Sequence, residues 1–184
     1  KDQEQHLEMT RRFARRFNNF YGVEYFKEPV AYNFGEDLVK IPGLDGSGKM
    51  GKSEGNCIYL SDNPKVIEKK VKRALTDSGP TEPNSTKPDY IENLFTIMRV
   101  VSSQEVIEHY ESKWNSCEIR YGDMKKQLAT DIIAVTTPIR ERILELEKDT
   151  DYLKKVANDG AERARENASK TIQEVRKIMG FKSF

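Results

Sequence analysis

The chain has 184 residues, 36% of them hydrophobic and 33% charged, a balance too apolar for a disordered segment and suited to amphipathic helices with solvated faces. Lys plus Arg number 31 against 30 Asp plus Glu, so net charge selects no partner, and a nucleic-acid surface would need local clustering of basic residues. Cys57 and Cys117 form no CxxC pair and the histidines are His6 and His109 alone, which argues against a protein zinc site and points to free thiols in a reducing, cytoplasmic compartment.

In chain order, residues 3 to 20 read as a helix. Leu7, Ala14, Phe17 and Tyr21 share one face, Met9, Phe13 and Phe20 widen it, and Gly22 stops it. Residues 23 to 60 contain three short apolar pieces, VEYF, LVKI and CIYL, expected as one or two short strands between loops. The loop from Gly43 to Asn56 holds five glycines and is expected to be mobile. Asp62 or Asn63 caps a helix with Pro64 in its first turn; Val66, Ile67, Val71, Ala74 and Leu75 form its apolar stripe, and Lys65, Lys69 and Lys72 its other face. A proline-rich loop follows at 77 to 88, then helices from about 89 to 101 and from 103 to 114.

Met124, Leu128, Ile132, Val135, Ile139, Ile143 and Leu146 form a helical seam over 123 to 147, with a kink expected at Pro138. Residues 150 to 179 give one or two more helices, with Leu153, Val156, Ala157, Ala164, Ala168, Ile172, Val175 and Ile178 or Met179 inward, closed by Gly180. No apolar run approaches the roughly 18 residues of a membrane span, and no signal peptide is visible. The chain starts at Lys1 inside what reads as a functional segment, so a longer parent protein is expected.

Residues 46 to 53, GSGKMGKS, fit the phosphate-loop pattern G-x-x-x-x-G-K-[ST]. A phosphate loop must open a helix at its Lys-Ser end, because the helix amides and dipole hold the phosphates. Here Glu54, Gly55 and Asn56 follow, with no apolar stripe, so the match reads as accidental. The five residues inside the match resemble instead the lysine signature loop of class I aminoacyl-tRNA synthetases, which implies that two ammonium groups close over a departing pyrophosphate and neutralise its growing charge.

Lys49-Met50-Gly51-Lys52-Ser53 resembles the Lys-Met-Ser-Lys-Ser loop of class I aminoacyl-tRNA synthetases. Asp2-Gln3, followed by a helix with paired arginines, resembles the Gly-x-Asp-Gln segment of the tyrosine and tryptophan subclass. Residues 62 to 78, DNPKVIEKKVKRALTDS, and the helices after them are similar to the tryptophan branch. The resemblance covers essentially the whole chain. It implies a mainly α fold: a helical bundle of the anticodon-binding type, residues 61 to 184, attached to the C-terminal remnant of a Rossmann-like α/β nucleotide-binding domain, residues 1 to 60. The last helix is expected to pack back on the catalytic part.

The implied activity is ATP-dependent, Mg²⁺-assisted activation of tryptophan and its transfer to the tryptophan-accepting tRNA, in a homodimeric parent. Lys49 and Lys52 would be catalytic, Asp2 would hold the ATP ribose, and Ile41, Met50, Gly51 and Ser53 would contact ATP beside the lysines. Gln3 would line the amino-acid pocket, and the Lys65, Lys69 and Lys72 face could meet tRNA phosphates.

Two departures stand out. Gly51 replaces the family's serine, and the family's His-x-Gly-His-type motif is absent, so this chain by itself is expected not to form the adenylate. Trp114 is expected to pack, and His6 and His109 to lie on helix surfaces. The alternatives are a tyrosine enzyme of the same subclass, a phosphate-loop NTPase and a non-catalytic RNA-binding helical module.

Overall fold

The structure is a computed structural model that describes residues 3–32 and 40–181. Among the described residues it contains six helices and no strand: α1 (Glu4–Tyr21), α2 (Pro64–Lys72), α3 (Asp89–Val101), α4 (Gln104–Asn115), α5 (Tyr121–Leu146) and α6 (Thr150–Ile178). The chain divides into two compact units, residues 1–37 with 151–184, and residues 38–150.

In the first unit, α1 ends where Gly22 takes a left-handed φ of 64°. Asn18 then organises the following segment. Its Oδ1 accepts from the Tyr25 and Phe26 amides (3.2 and 3.1 Å), and its Nδ2 donates to the Phe26 carbonyl (2.8 Å). These are backbone groups that a strand neighbour would otherwise take, so VEYF is a side-chain-braced turn and not a strand. Phe17 packs its ring on Tyr21 and Phe26, and Arg15 grips Glu28 through two bonds of 2.7 and 2.8 Å.

Ala14 is the buried residue of α1 and Leu7, Phe17 and Tyr21 are half-covered, whereas Met9, Phe13 and Phe20 are exposed, so only the widening of the apolar face read from the sequence is uncovered. No α6 residue is buried; Leu153, Val156, Ile172 and Met179 are exposed and only Val175 and Ile178 are half-covered. The expected inward stripe is therefore present as a pattern without a surface over it. Each such side chain forgoes the roughly 1.5–3 kcal/mol that full burial supplies. Tyr25 reaches Glu174 and Thr171 of α6; burial first, then the Glu174 hydrogen bond, raises its pKa.

The second unit holds the core. Asn63 is the α2 cap, its Oδ1 accepting from the Val66 amide at 3.0 Å, with Pro64 in the first turn. Asp62 turns aside to take the Tyr59 amide and Lys70, so that amide of CIYL is not available to a strand partner; half of LVKI, residues 38 and 39, lies outside the described residues. Ile67 and Val71 of α2 meet Met124, Leu128 and Ile132 of α5 and Ile91, Leu94, Phe95 and Met98 of α3 in one cluster. Leu75, expected in the stripe, is exposed, because α2 has already ended at Lys72.

Trp114 is 2% exposed and donates its indole N–H to the Ser85 carbonyl at 2.8 Å. Helix α5 runs through Pro138. The Thr136 and Thr137 hydroxyls donate to the Ile132 and Ile133 carbonyls in the preceding turn. Beyond Ile132 the seam departs from expectation: Thr136 is buried, whereas Val135 and Ile139 are exposed.

Two polar clips lock the core helices. Lys125 Nζ donates to the Ala74 carbonyl (2.7 Å) and Thr76 Oγ1 (2.9 Å) at the C-terminal end of α2, and burial pulls its pKa down. Asp77 accepts from Tyr121 OH (2.7 Å), Tyr90 OH (2.8 Å) and the Gly79 amide (2.8 Å). Partial covering pushes the Asp77 carboxyl up, but these three donors outweigh it and leave its pKa below the usual range. A depressed carboxyl adds stability that is complete above its unfolded pKa, about 3.9, and lost as pH falls through the lower folded value. Acid unfolding followed by circular dichroism should therefore lose part of its slope below about pH 4 in Asp77→Asn; an unchanged profile would contradict this role.

Candidate lysine-loop site

The loop from Ile41 to Asn56 is rooted in the core by Leu44, which is 7% exposed and belongs to the same cluster as α2, α3 and α5. Its backbone is tied on both sides: the Leu44 amide donates to the Asn56 carbonyl (3.4 Å) and its carbonyl accepts from the Leu75 amide (3.0 Å). Asp45-Gly46-Ser47 makes a turn closed on the Asp45 side chain, whose Oδ1 accepts from the Ser47 amide (3.1 Å) and hydroxyl (2.6 Å). The Ser47 hydroxyl, then the Ser47 amide and Asn56 lower the Asp45 pKa, so the carboxylate stays an acceptor at neutral pH. From α3, Asn93 Nδ2 donates to the Ser47 carbonyl at 3.1 Å.

Asn56, 6% exposed, closes the frame. Its Oδ1 accepts from the Gly51 amide at 2.9 Å. Its Nδ2 reaches Asp45 Oδ1 (3.0 Å), Ser47 Oγ (2.7 Å) and the Lys49 carbonyl (3.2 Å). The Met50 amide donates to the Ile41 carbonyl at 2.8 Å. The glycine-rich loop is thus a hydrogen-bonded frame through Gly51, followed by an exposed turn over residues 52–55.

Two glycines are obligatory in this frame. A Cβ on Gly43 would lie 2.4 Å from both Asp45 Oδ1 and Ser47 Oγ and 2.5 Å from Asn56 Nδ2. Gly46 has φ +90°, and a Cβ there would lie 2.9 Å from Tyr90 Cβ. Gly51 is different: a Cβ would meet the flexible Glu54 side chain at 3.0 Å and the Ser53 hydroxyl at 4.0 Å, so the backbone accepts the serine seen in the resembling motif.

The structure brings Ile41, Lys49, Met50, Gly51, Lys52 and Ser53 into this one loop. Lys49 and Lys52 are exposed, and among the described residues neither makes an ion pair. Ser53 Oγ lies 3.1 Å from Glu54 Oε1. No helix starts at Lys52; the next begins at Pro64, which removes the dipole and the row of amides that a phosphate-loop NTPase needs. Gln3 belongs to the other compact unit, at the α1 N-terminus, where its carbonyl accepts from the Leu7 amide at 3.1 Å. Asp2 lies outside the described residues. Lys65, Lys69 and Lys72 are exposed on α2, and His6 and His109 are exposed on α1 and α4. Sequence reasoning missed Asn56, Asn93 and Leu44; of the frame, only the Asp-Gly-Ser turn carries a local signal.

Among the described residues, a glycine-rich loop seated on a helical core thus presents Lys49 and Lys52 exposed and outside any ion pair. The chain belongs to the class I tRNA synthetase (W and Y) family, whose model matches residues 1–137. It is 60% identical over 182 residues to the tryptophan–tRNA ligase of Porphyromonas gingivalis, covering 99% of this chain and 56% of that protein. The Fusobacterium nucleatum tryptophan–tRNA ligase is 36% identical over 180 residues, covering 98% and 54%. Among solved structures, the tryptophanyl-tRNA synthetase of Campylobacter jejuni complexed with ADP and tryptophan superposes with a TM-score of 0.75 at 29% identity, covering 98% of this chain and 55% of that one. The chain thus spans about half the length of the curated relatives it matches.

The frame carries its own prediction. Gly43→Ala should lower thermal stability by about 1–3 kcal/mol through overpacking, whereas Gly48→Ala, whose Cβ has nothing within 4 Å, should change it little. Equal melting shifts for the two variants would contradict the close approach at Gly43.

Proposed function

We propose that this chain is the C-terminal portion of a tryptophan–tRNA ligase and carries its lysine signature loop. The observation that carries the reading is the pair Lys49 and Lys52, exposed and free of ion pairs among the described residues, on a loop rooted in the core. In the reaction, a carboxylate oxygen of tryptophan attacks the α-phosphorus of ATP. The bond from that phosphorus to the oxygen bridging the β-phosphate breaks, and pyrophosphate leaves with the electron pair. Tryptophanyl-adenylate then passes its acyl group to a 3′-terminal ribose hydroxyl of tRNA, releasing AMP.

Both ammonium groups are needed where charge grows, on the departing pyrophosphate. Lys49 approaches from the fixed part of the loop and Lys52 from the turn beyond it. Ser53 and the free amides of the turn can donate to phosphate oxygens. The donor set of ammonium, hydroxyl and amide groups suits phosphate and not a metal, so Mg²⁺ would be held by the nucleotide's own phosphates and would share their charge with Lys49 and Lys52. Ile41 lies at the root of the loop, its carbonyl accepting from the Met50 amide, and in this reading its backbone contacts the nucleotide. Asp2 and Gln3 supply the ribose and amino-acid contacts in this reading, and the α2–α5 bundle meets tRNA, in the cytoplasm. The identity to tryptophan–tRNA ligases favours tryptophan over tyrosine.

In a full-length protein that carries this chain, Lys49→Ala and Lys52→Ala should each slow tryptophan-dependent exchange of pyrophosphate into ATP on the order of 10²- to 10³-fold, with the tryptophan KM little changed. Exchange that proceeds equally fast in the double variant, or that depends on tyrosine, would overturn the reading.

A further inference from the structure

A carboxamide buried without partners costs stability, so the bonds on Asn56 report what it is there to hold. Asn56 Oδ1 takes the Gly51 amide and Nδ2 reaches the Lys49 carbonyl. These groups flank Met50, and a carboxamide that pairs with both reproduces the pattern of a parallel strand neighbour. The Met50 amide is held from the opposite side by the Ile41 carbonyl. Asp45 and Ser47 hold Nδ2 in place, and the Asn56 carbonyl takes the amide of the core residue Leu44.

Beyond Gly51 this support stops. Among the described residues, the only backbone bond reaching into the 52–55 turn is from the Glu54 amide to the Gly51 carbonyl, at 3.2 Å. The two lysines therefore stand on backbone of different stiffness, three residues apart.

We propose that Asn56 is a positioning residue for adenylate formation: its carboxamide fixes the backbone that carries Lys49 and leaves Lys52 on a turn free to follow the departing phosphate. The proposal rests on the ligase reading above. It assigns the lysines separate duties, one pre-set and one moving. Pre-setting counts because a displacement of about 1 Å can cost on the order of a hundredfold in rate.

A double-mutant cycle in the full-length protein tests it. Asn56→Ala should lower kcat for tryptophan-dependent pyrophosphate exchange on the order of a hundredfold, with the tryptophan KM nearly unchanged. In a Lys49→Ala background the same change should cost no more than about threefold, because the group it positions is gone. In a Lys52→Ala background nearly the whole loss should remain. Equal losses in both backgrounds, or a loss confined to KM, would overturn the assignment.

Ser47→Ala is the second variant, on an exposed residue, and covers the case in which Asn56→Ala does not fold. It should give a smaller fall, about tenfold, with the same dependence on Lys49; a fall independent of Lys49 would count against the proposal. If the unmodified full-length protein shows no exchange, the ligase reading fails instead. Hydrogen exchange at the Gly51 amide then decides the structural half separately: Asn56→Ala must accelerate it if Asn56 holds the backbone that carries Lys49, and unchanged exchange would overturn that hold whatever the reaction.

Discussion

Burying a carboxamide is unfavourable unless each polar atom finds a partner, and Asn56 meets that requirement inside the loop it organises. The constraint propagates in two directions. Inward, the Asn56 carbonyl and Leu44 tie the loop to the helical core. Outward, the side chain holds the peptide groups on either side of Met50. A loop with five glycines between Gly43 and Asn56 has much conformational entropy to lose, and a dense hydrogen-bond network is what offsets that loss. Two of those glycines also make the network possible, because a Cβ at Gly43 or Gly46 would collide with it or with α3.

The helical core takes part in the site through α3. Asn93 bonds the Ser47 carbonyl, and Tyr90 both backs Gly46 and donates to Asp77. Tyr121 of α5 shares the same carboxylate; burial, then that bond, drives its pKa up. A chain of contacts thus runs from the loop through α3 to the N-terminal end of α5. In the proposed enzyme this ties the backbone that carries Lys49 to the helical core.

Much of the helical architecture was legible in the sequence because periodicity and punctuation agree there. Asn63-Pro64 caps α2, the Asp89–Val101 helix follows a proline-rich loop, and Gly22 and Gly180 stop their helices. Trp114 packs as expected. Strand expectations failed at VEYF and CIYL because side chains of Asn18 and Asp62 capture the backbone groups a sheet would need. The α6 stripe and the later α5 seam failed differently. Their apolar spacing is real, but periodicity records which residues could be buried and not whether anything covers them. In the site, the two lysines were legible through the resemblance of Lys49-Met50-Gly51-Lys52-Ser53 to a known signature loop, while their spacing alone pointed to a phosphate loop that the structure does not form. Asn56 was not, since a lone asparagine after a glycine carries no local sign that the chain folds back on it.

Amide hydrogen exchange, resolved residue by residue across 41–56, tests this account most directly. The account predicts slow exchange at the Met50 and Gly51 amides, which bond Ile41 and Asn56, and fast exchange at the Lys52 and Ser53 amides just beyond. Uniformly fast exchange from Gly43 to Gly55 would mean that Asn56 does not hold the loop, and the separate duties of the two lysines would lose their structural basis.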